Sequence, residues 1–423
     1  TGGGSAGGAA GGGAGGAAGG SAGGAAGGSA GSSGGGRGDG GFTPAAHRPF
    51  PVIPTTTGRS LEPLTLVTLV AANDPSAATY AQFDDELAVS RWYPAVASEY
   101  DAGTVAASLH VTLPAVTADV TDAQLQAMIS QAITSGAAPA PNGNTLYLVY
   151  VPAPYAVTAA IACGYHKTWF VDGGATLGDG WGVVAQCSPF GGGETPVQAN
   201  TRVGSHEVIE AVTDSYRGYN LGLTPTQPWT TSVWRSYEEA GHVEVGDLCE
   251  GTRIVLSGRD GGLWDYQRSW SNANAAAGLD PCLPVNPGGF FDVSVPQDWY
   301  TADAGAVLSI PFTGWSTVAR GPWLLTTGLK NGSAPMLDYE ADAGPFWSTL
   351  SAMGTTRIDA GCRAYTGIND GQGGTLRVSV PATARSGDWM VFRINSFEED
   401  PNTCWPPLDR DPNHFWLVGV HVP

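Results

Sequence analysis

"TDAQLQAMISQAITSGAAPAPNGNTLYLVYVP", residues 121–152, changes its hydrophobic period halfway. Its first half spaces Leu125, Met128, Ile129 and Ile133 at i, i+3, i+4, with Thr121 placed as an N-cap and Gly136 as a stop. That predicts a helix over 121–136. The last part, "TLYLVYVP" (145–152), is a short apolar run dense in Tyr and Val. It predicts a strand at the centre of a sheet. Working outward, "LTLVTLVAAND" (64–74) and "TVAASLHVTLP" (104–114) read as two more strands. Between them, residues 76–100 space Tyr80, Phe83, Leu87 and Trp92 as a helix with one buried face. The order β-α-β-α-β predicts a parallel or mixed sheet with helices packed on it.

The 423 residues are enough for two domains of ordinary size. Only 13% are charged, while Gly (62) and Pro (30) are abundant, which favours a loop- and strand-rich fold over a helical bundle. Lys+Arg is 19 against Asp+Glu 38, a net charge of −19. Such a chain, with no basic block, does not suit nucleic acid or anionic lipid. No stretch is long and apolar enough for a transmembrane helix.

Residues 1–41 are almost wholly Gly, Ala and Ser and read as a disordered tether. The tripeptide Arg37-Gly38-Asp39 within them has the form of an integrin-binding motif, and chance accounts for it in such a tail. The chain starts at Thr1, so the expectation is that a secretion signal has been removed. A Gly/Ser spacer also resembles the one behind the lipid-bearing cysteine of bacterial lipoproteins, which implies a possible lipid tether upstream of Thr1. Residues 42–60 are Pro/Thr-rich and read as a linker, followed by an α+β domain over 61–284. From 285 to 423 short strands alternate with Gly, Pro, Asp and Asn, including two strands joined by a turn in 375–396. That pattern predicts an all-β sandwich of immunoglobulin or fibronectin type.

Six cysteines at wide spacing, with no CxxC, point to disulfides in an oxidising compartment. Sequence order and the domain boundary suggest Cys163–Cys187, Cys249–Cys282 and Cys362–Cys404. The first of these would close a hairpin over 163–187.

"SHEVIEAVTDSY" (205–216) carries the chemistry. With Ser205 as a cap and a helix starting at His206, His206 and Glu210 fall within about 40° of one another, one turn apart. Both can reach one ion. Glu207, about 100° round, can contact a metal-bound water without being a ligand. This is how HExxH places two ligands and a base, with a carboxylate here as the second ligand. Zinc accepts this donor set and leaves a position for water. The alternative is the polar face of an ordinary helix, or a buried His paired with Glu210. The third ligand is sought in "YEEAGHVEVGDLCE" (237–250). Asp247 is favoured because Cys249 would fix its position, with Glu244 beside it. Asp214 lies about 12 Å along a continuous helix from His206, so it ligates only if the helix ends near Val212 or Thr213. His242 and His166 are outside candidates. His242 reads as an exposed loop residue, and His166 is expected to hydrogen-bond within its hairpin. Tyr216 and Tyr237 read as packing residues before oxyanion donors.

"SHEVIEAVTD", "VEVGDLCE" and the cysteine segment beginning "CGYHKTW" together resemble a family of secreted bacterial and fungal proteins. Its members carry an HExxEAxTDP-type helix and a later E-x-G-D-x-C. The chain is similar, more distantly, to plant EXORDIUM or phosphate-induced proteins. The resemblance covers roughly 60–285 and implies a zincin-like fold and a zinc hydrolase. Ser215 stands where the family has Pro, which leaves helix termination after Asp214 open. The expectation is therefore a secreted or surface-tethered, bacterial-like extracellular monomer acting on a protein or peptide substrate. His206, Glu210 and Asp247 would bind one Zn2+, with Glu207 as general base. A rival of another class is a non-catalytic extracellular binding or structural protein in which the metal helix is a relic. Carbohydrate binding through the Trp residues is a third idea. Their scatter along the chain suggests core packing instead.

Overall fold

The first half is built on a five-stranded sheet. Its strands are β1 (Leu64–Ala71), β2 (Val105–Leu113), β3 (Thr145–Tyr150), β4 (Gly164–Thr168) and β5 (Gly180–Val184), in the order β2-β1-β3-β5-β4. The first four of that order run parallel, and β4 returns antiparallel to β5. The structure is a computed structural model. It describes residues 42–423 apart from 54–59, 159–162, 169–179, 186–193, 215–227, 237–243, 260, 287, 331–346, 353–355, 358–364 and 399–413. The tether at 1–41 with its Arg37-Gly38-Asp39, and Cys187, Cys362, Cys404, Tyr216, Tyr237 and His242, lie outside the described residues.

Alternation along the central strands sends side chains to two apolar layers. Leu66, Leu146, Leu148 and Tyr150 join one core, and Val67, Leu69, Tyr147 and Val149 join the other. The second layer is covered by α3 (Asp122–Thr134) through Leu125 and Ile129. Thr121 caps α3 in a reciprocal capping box with Gln124, and Gly136 takes a positive φ of 74° just beyond it. The first layer is covered by α1 (Ala77–Val89), α2 (Trp92–Ala97) and α4 (Pro196–Thr213). The helix expected over 76–100 is therefore two helices, broken at Ser90 and Arg91, where Ser90 turns extended.

A hairpin of β6 (Arg253–Ser257) and β7 (Leu263–Gln267) follows, then β8 (Ser269–Trp270), α5 (Asn272–Ala277) and β9 (Cys282–Leu283). The second half holds two sheets. The first is formed by β10 (Phe291–Ser294), β12 (Val307–Ser316), β17 (Gly373–Ser379) and β14 (Trp347–Ala352). The second is formed by β11 (Trp299–Thr301), β19 (His414–His421), β18 (Trp389–Phe397), β13 (Trp323–Lys330), β16 (Tyr365–Ile368) and β15 (Thr356–Arg357). Their pairs are antiparallel except β11 with β19. The two strands expected in 375–396 exist as β17 and β18, but they belong to different sheets, so the turn between them crosses layers.

Among the described residues no hydrogen-bonded sheet spans residue 284, yet residues 42–423 form one compact unit. The segment read as a linker carries Phe50 and Ile53 into the core. The molecule is thus mixed α+β with several sheets and few helices. Among the described residues no helix is long and apolar enough to cross a membrane.

Candidate metal centre

The helix that carries the site starts well before His206. Thr195 accepts the N–H of Gln198 at 3.2 Å, Gln198 Oε1 accepts that of Thr195 at 2.9 Å, and Pro196 occupies the first helical position. Ser205 is therefore no cap. Its buried hydroxyl donates to the Arg202 carbonyl at 2.6 Å and accepts the Gln267 N–H at 2.9 Å, which ties α4 to β7. The helix ends at Thr213, and the N–H of Asp214 donates to the Glu210 carbonyl at 2.7 Å.

The one-turn pairing expected of the motif is present: His206 Nε2 lies 3.0 Å from Glu210 Oε2. Asp247 meets them from a short 3-10 turn, Asp247–Cys249. Donor atoms of His206, Glu210 and Asp247 all lie within 4.8 Å of one another. Two contacts hold Asp247 in place. Its Oδ2 accepts the Glu244 N–H at 2.9 Å, and two residues on, Cys249 is bonded to Cys282. This is one of the three disulfides expected; the other two involve cysteines outside the described residues.

His166 was expected to bond within its hairpin, and the structure places it elsewhere. β4 carries it beneath α4, with Nδ1 3.4 Å from Glu207 Oε2 and 3.7 Å from Glu210 Oε2, and Nε2 3.3 Å from Glu244 Oε2. His166, Glu207 and Glu210 form a second triple of donors within 4.8 Å of one another. Asp214 is buried but belongs to neither triple, and Glu244 faces His166 from outside both.

Glycines let these groups approach. A Cβ on Gly164 would collide with Glu207 Oε1. One on Gly246 would stand 2.5 Å from Glu210 Oε1 and 2.8 Å from His206 Nδ1. Gly246 has an ordinary helical φ/ψ of −75°/−43°, so its role is space rather than backbone freedom. This pairing of glycines with polar residues is the signal by which His166 can be found in "CGYH".

The centre holds more negative charge than it can neutralise. Burial, then the carboxylates of Asp247, Glu244 and Glu207, pushes Glu210 well above the usual range. Burial also raises Asp247, opposed by His206. Burial alone would lower His166, but Glu244, Glu207 and Glu210 outweigh it and raise the imidazole to about 10. His206 is raised too, against burial, by Glu207, Asp247, Glu250 and Glu244. His206 Nδ1, Glu207 Oε2 and Glu210 Oε1 are buried with no hydrogen bond. Each such atom costs about 1–3 kcal/mol if nothing meets it. A divalent cation answers both conditions, and imidazole with carboxylates is a donor set zinc accepts.

No protein-family model matches the chain, and no curated protein does. Solved structures similar over part of it include three that follow. Domains 4 and 5 of the S-layer protein SbsC match at 10% identity and TM-score 0.18, over 32% of this chain and 53% of that one. The N-terminal domain of PorA matches at 12% and 0.18, over 31% and 97%. AvmM, which catalyses macrocyclization in alchivemycin A biosynthesis, matches at 8% and 0.20, over 33% and 90%. The chain thus spans about half of the SbsC structure it matches. At such scores these likenesses carry no argument about this protein.

Proposed function

We propose that the protein is an exported zinc hydrolase, most simply a metallopeptidase, with a zincin-like centre in 61–284 and an immunoglobulin- or fibronectin-like second half. The observation that carries this reading is the convergence of His206, Glu210 and Asp247 donors within 4.8 Å beside Glu207. Zinc in such a centre supplies a Lewis acid and lowers the pKa of water bound to it. His206 and Glu210 hold the ion from one helical face, and Asp247 holds it from the disulfide-anchored turn. Glu207 accepts a proton from the attacking water. The Cys249–Cys282 bond supports export to an oxidising compartment.

One observation favours a second reading, in which the metal only stabilises an extracellular binding protein. Glu207, the proposed base, is buried at 4% side-chain exposure and already faces His166. A single experiment separates the two. Metal per chain is measured on untagged protein prepared without chelator, with a peptide-hydrolysis screen alongside. The expected result is bound zinc that His206→Ala loses, zinc affinity at least tenfold weaker in Gly246→Ala, and hydrolysis abolished by Glu207→Gln. Zinc bound without hydrolysis supports the binding reading. Hydrolysis that survives Glu207→Gln rejects the mechanism.

A further inference from the structure

We infer that this centre takes two divalent cations, with Glu210 bridging them and His166 and Glu207 holding the second. The inference rests on the metal-centre reading above and extends it. The donors separate into His206/Glu210/Asp247 and His166/Glu207/Glu210, with only Glu210 in common. An ion with bonds of about 2.0–2.2 Å gathers only donors within about 4.4 Å of each other. One ion therefore does not serve two triples joined at a single residue. A carboxylate has two oxygens and several lone pairs to share. Hydrolytic two-metal sites hold their ions about 3.5–4 Å apart, a gap one carboxylate can bridge.

The spacing around His166 points the same way. Its Nδ1 lies 3.4 and 3.7 Å from the Glu207 and Glu210 oxygens. Charge-assisted hydrogen bonds are shorter, about 2.7–2.9 Å. Donors on a tetrahedral ion with bonds of about 2.0–2.1 Å stand about 3.3–3.4 Å apart. The other ring nitrogen faces Glu244 Oε2 at 3.3 Å, the position of the carboxylate that orients a ligating histidine. Glu207 Oε2 and Glu210 Oε1 are without hydrogen bonds, on side chains only 4% and 6% exposed. Glu207, Glu210, Glu244 and Asp247 bring four carboxylates to one enclosed region. Two divalent cations balance four negative charges without calling on either imidazole. Glu207 then binds through Oε2, while Oε1 lies against Gly164.

The test is the number of ions held by the full chain after saturation with zinc and removal of the excess. Native mass spectrometry and elemental analysis are applied to wild type, His166→Gln and Asp247→Asn. Two ions in wild type and one in each variant is the expected result. One ion in both wild type and His166→Gln overturns the two-ion inference and leaves the single-zinc reading standing. No ion in wild type overturns both. Two ions retained in His166→Gln rejects His166 as a ligand. If His166→Gln does not fold, titration of wild type with cobalt(II) decides. Loss of the paramagnetic signal between one and two equivalents is expected of a bridged pair, and steady growth of an uncoupled signal overturns it.

Discussion

Asp84 shows how a single residue can set the pH response of the fold away from the metal centre. It is fully buried between β1 and α1. Thr68 donates to it at 2.6 Å and Tyr150 at 3.0 Å. Burial raises its carboxyl to about 7, against the pull of those two hydrogen bonds. Below about pH 4 the folded and unfolded chains both carry the proton, and Asp84 makes no difference between them. Between pH 4 and 7 the folded state keeps a proton that the unfolded chain has released. Stability therefore falls as pH rises through that window, by on the order of 4 kcal/mol once both states are ionised. Asp84→Asn keeps an acceptor for Tyr150 and removes the charge. It should raise the urea midpoint at pH 8 and leave it nearly unchanged at pH 4. An equal effect at both pH values would refute this account. Asp84 is not legible in the sequence, because "FDDEL" has the look of a solvated helix face. By contrast, Asp247 was legible, since Cys249 two residues on marks a fixed turn.

At the scale of elements, α4 decides where the chemistry sits. It is an 18-residue helix in which His206 lies past the middle. The sequence suggests a start at His206 because Ser205 has the form of an N-cap. Gly204 and Ser205 are instead packing residues. Gly204 leaves room for the Tyr150 hydroxyl, which a Cβ there would meet at 2.6 Å, and Ser205 bonds to β7. The true start was written in "TPVQ" (195–198), a capping box with proline at the first position. Thr195→Ala should lower stability by about 1 kcal/mol, read as a shift in the denaturation midpoint with the slope unchanged. No change would mean that tertiary contacts alone hold the helix end. The strands at 64–74, 104–114 and 145–152 were legible because their apolar runs are short and bounded. The position of β4 under α4 was not, since it depends on the register of His166 against Gly182.

At the scale of the whole molecule, composition suggested two units meeting near residue 284, and the sheets do divide there. What sequence could not show is the aromatic joint across that line. Phe50 packs 5.5 Å from Trp270 of the first half and 5.5, 5.2 and 5.8 Å from Phe290, Trp315 and Trp416 of the second. Trp234 extends the joint to Trp416 at 5.8 Å. Asn272 Oδ1 accepts the Ile53 N–H at 2.8 Å, and Arg48 pairs with Asp298 at 2.7 Å, so one short N-terminal segment is bonded to both halves. Such a joint couples their unfolding, because neither half can open without exposing the same ring cluster. Removing the Phe50 ring leaves a cavity among large aromatics, at a cost of about 3–5 kcal/mol. Phe50→Ala should therefore move one calorimetric transition to lower temperature as a whole, with calorimetric and van't Hoff enthalpies still equal. If the variant or the wild type melts in two resolved steps, with only one displaced, the halves are independent domains and Phe50 belongs to one of them.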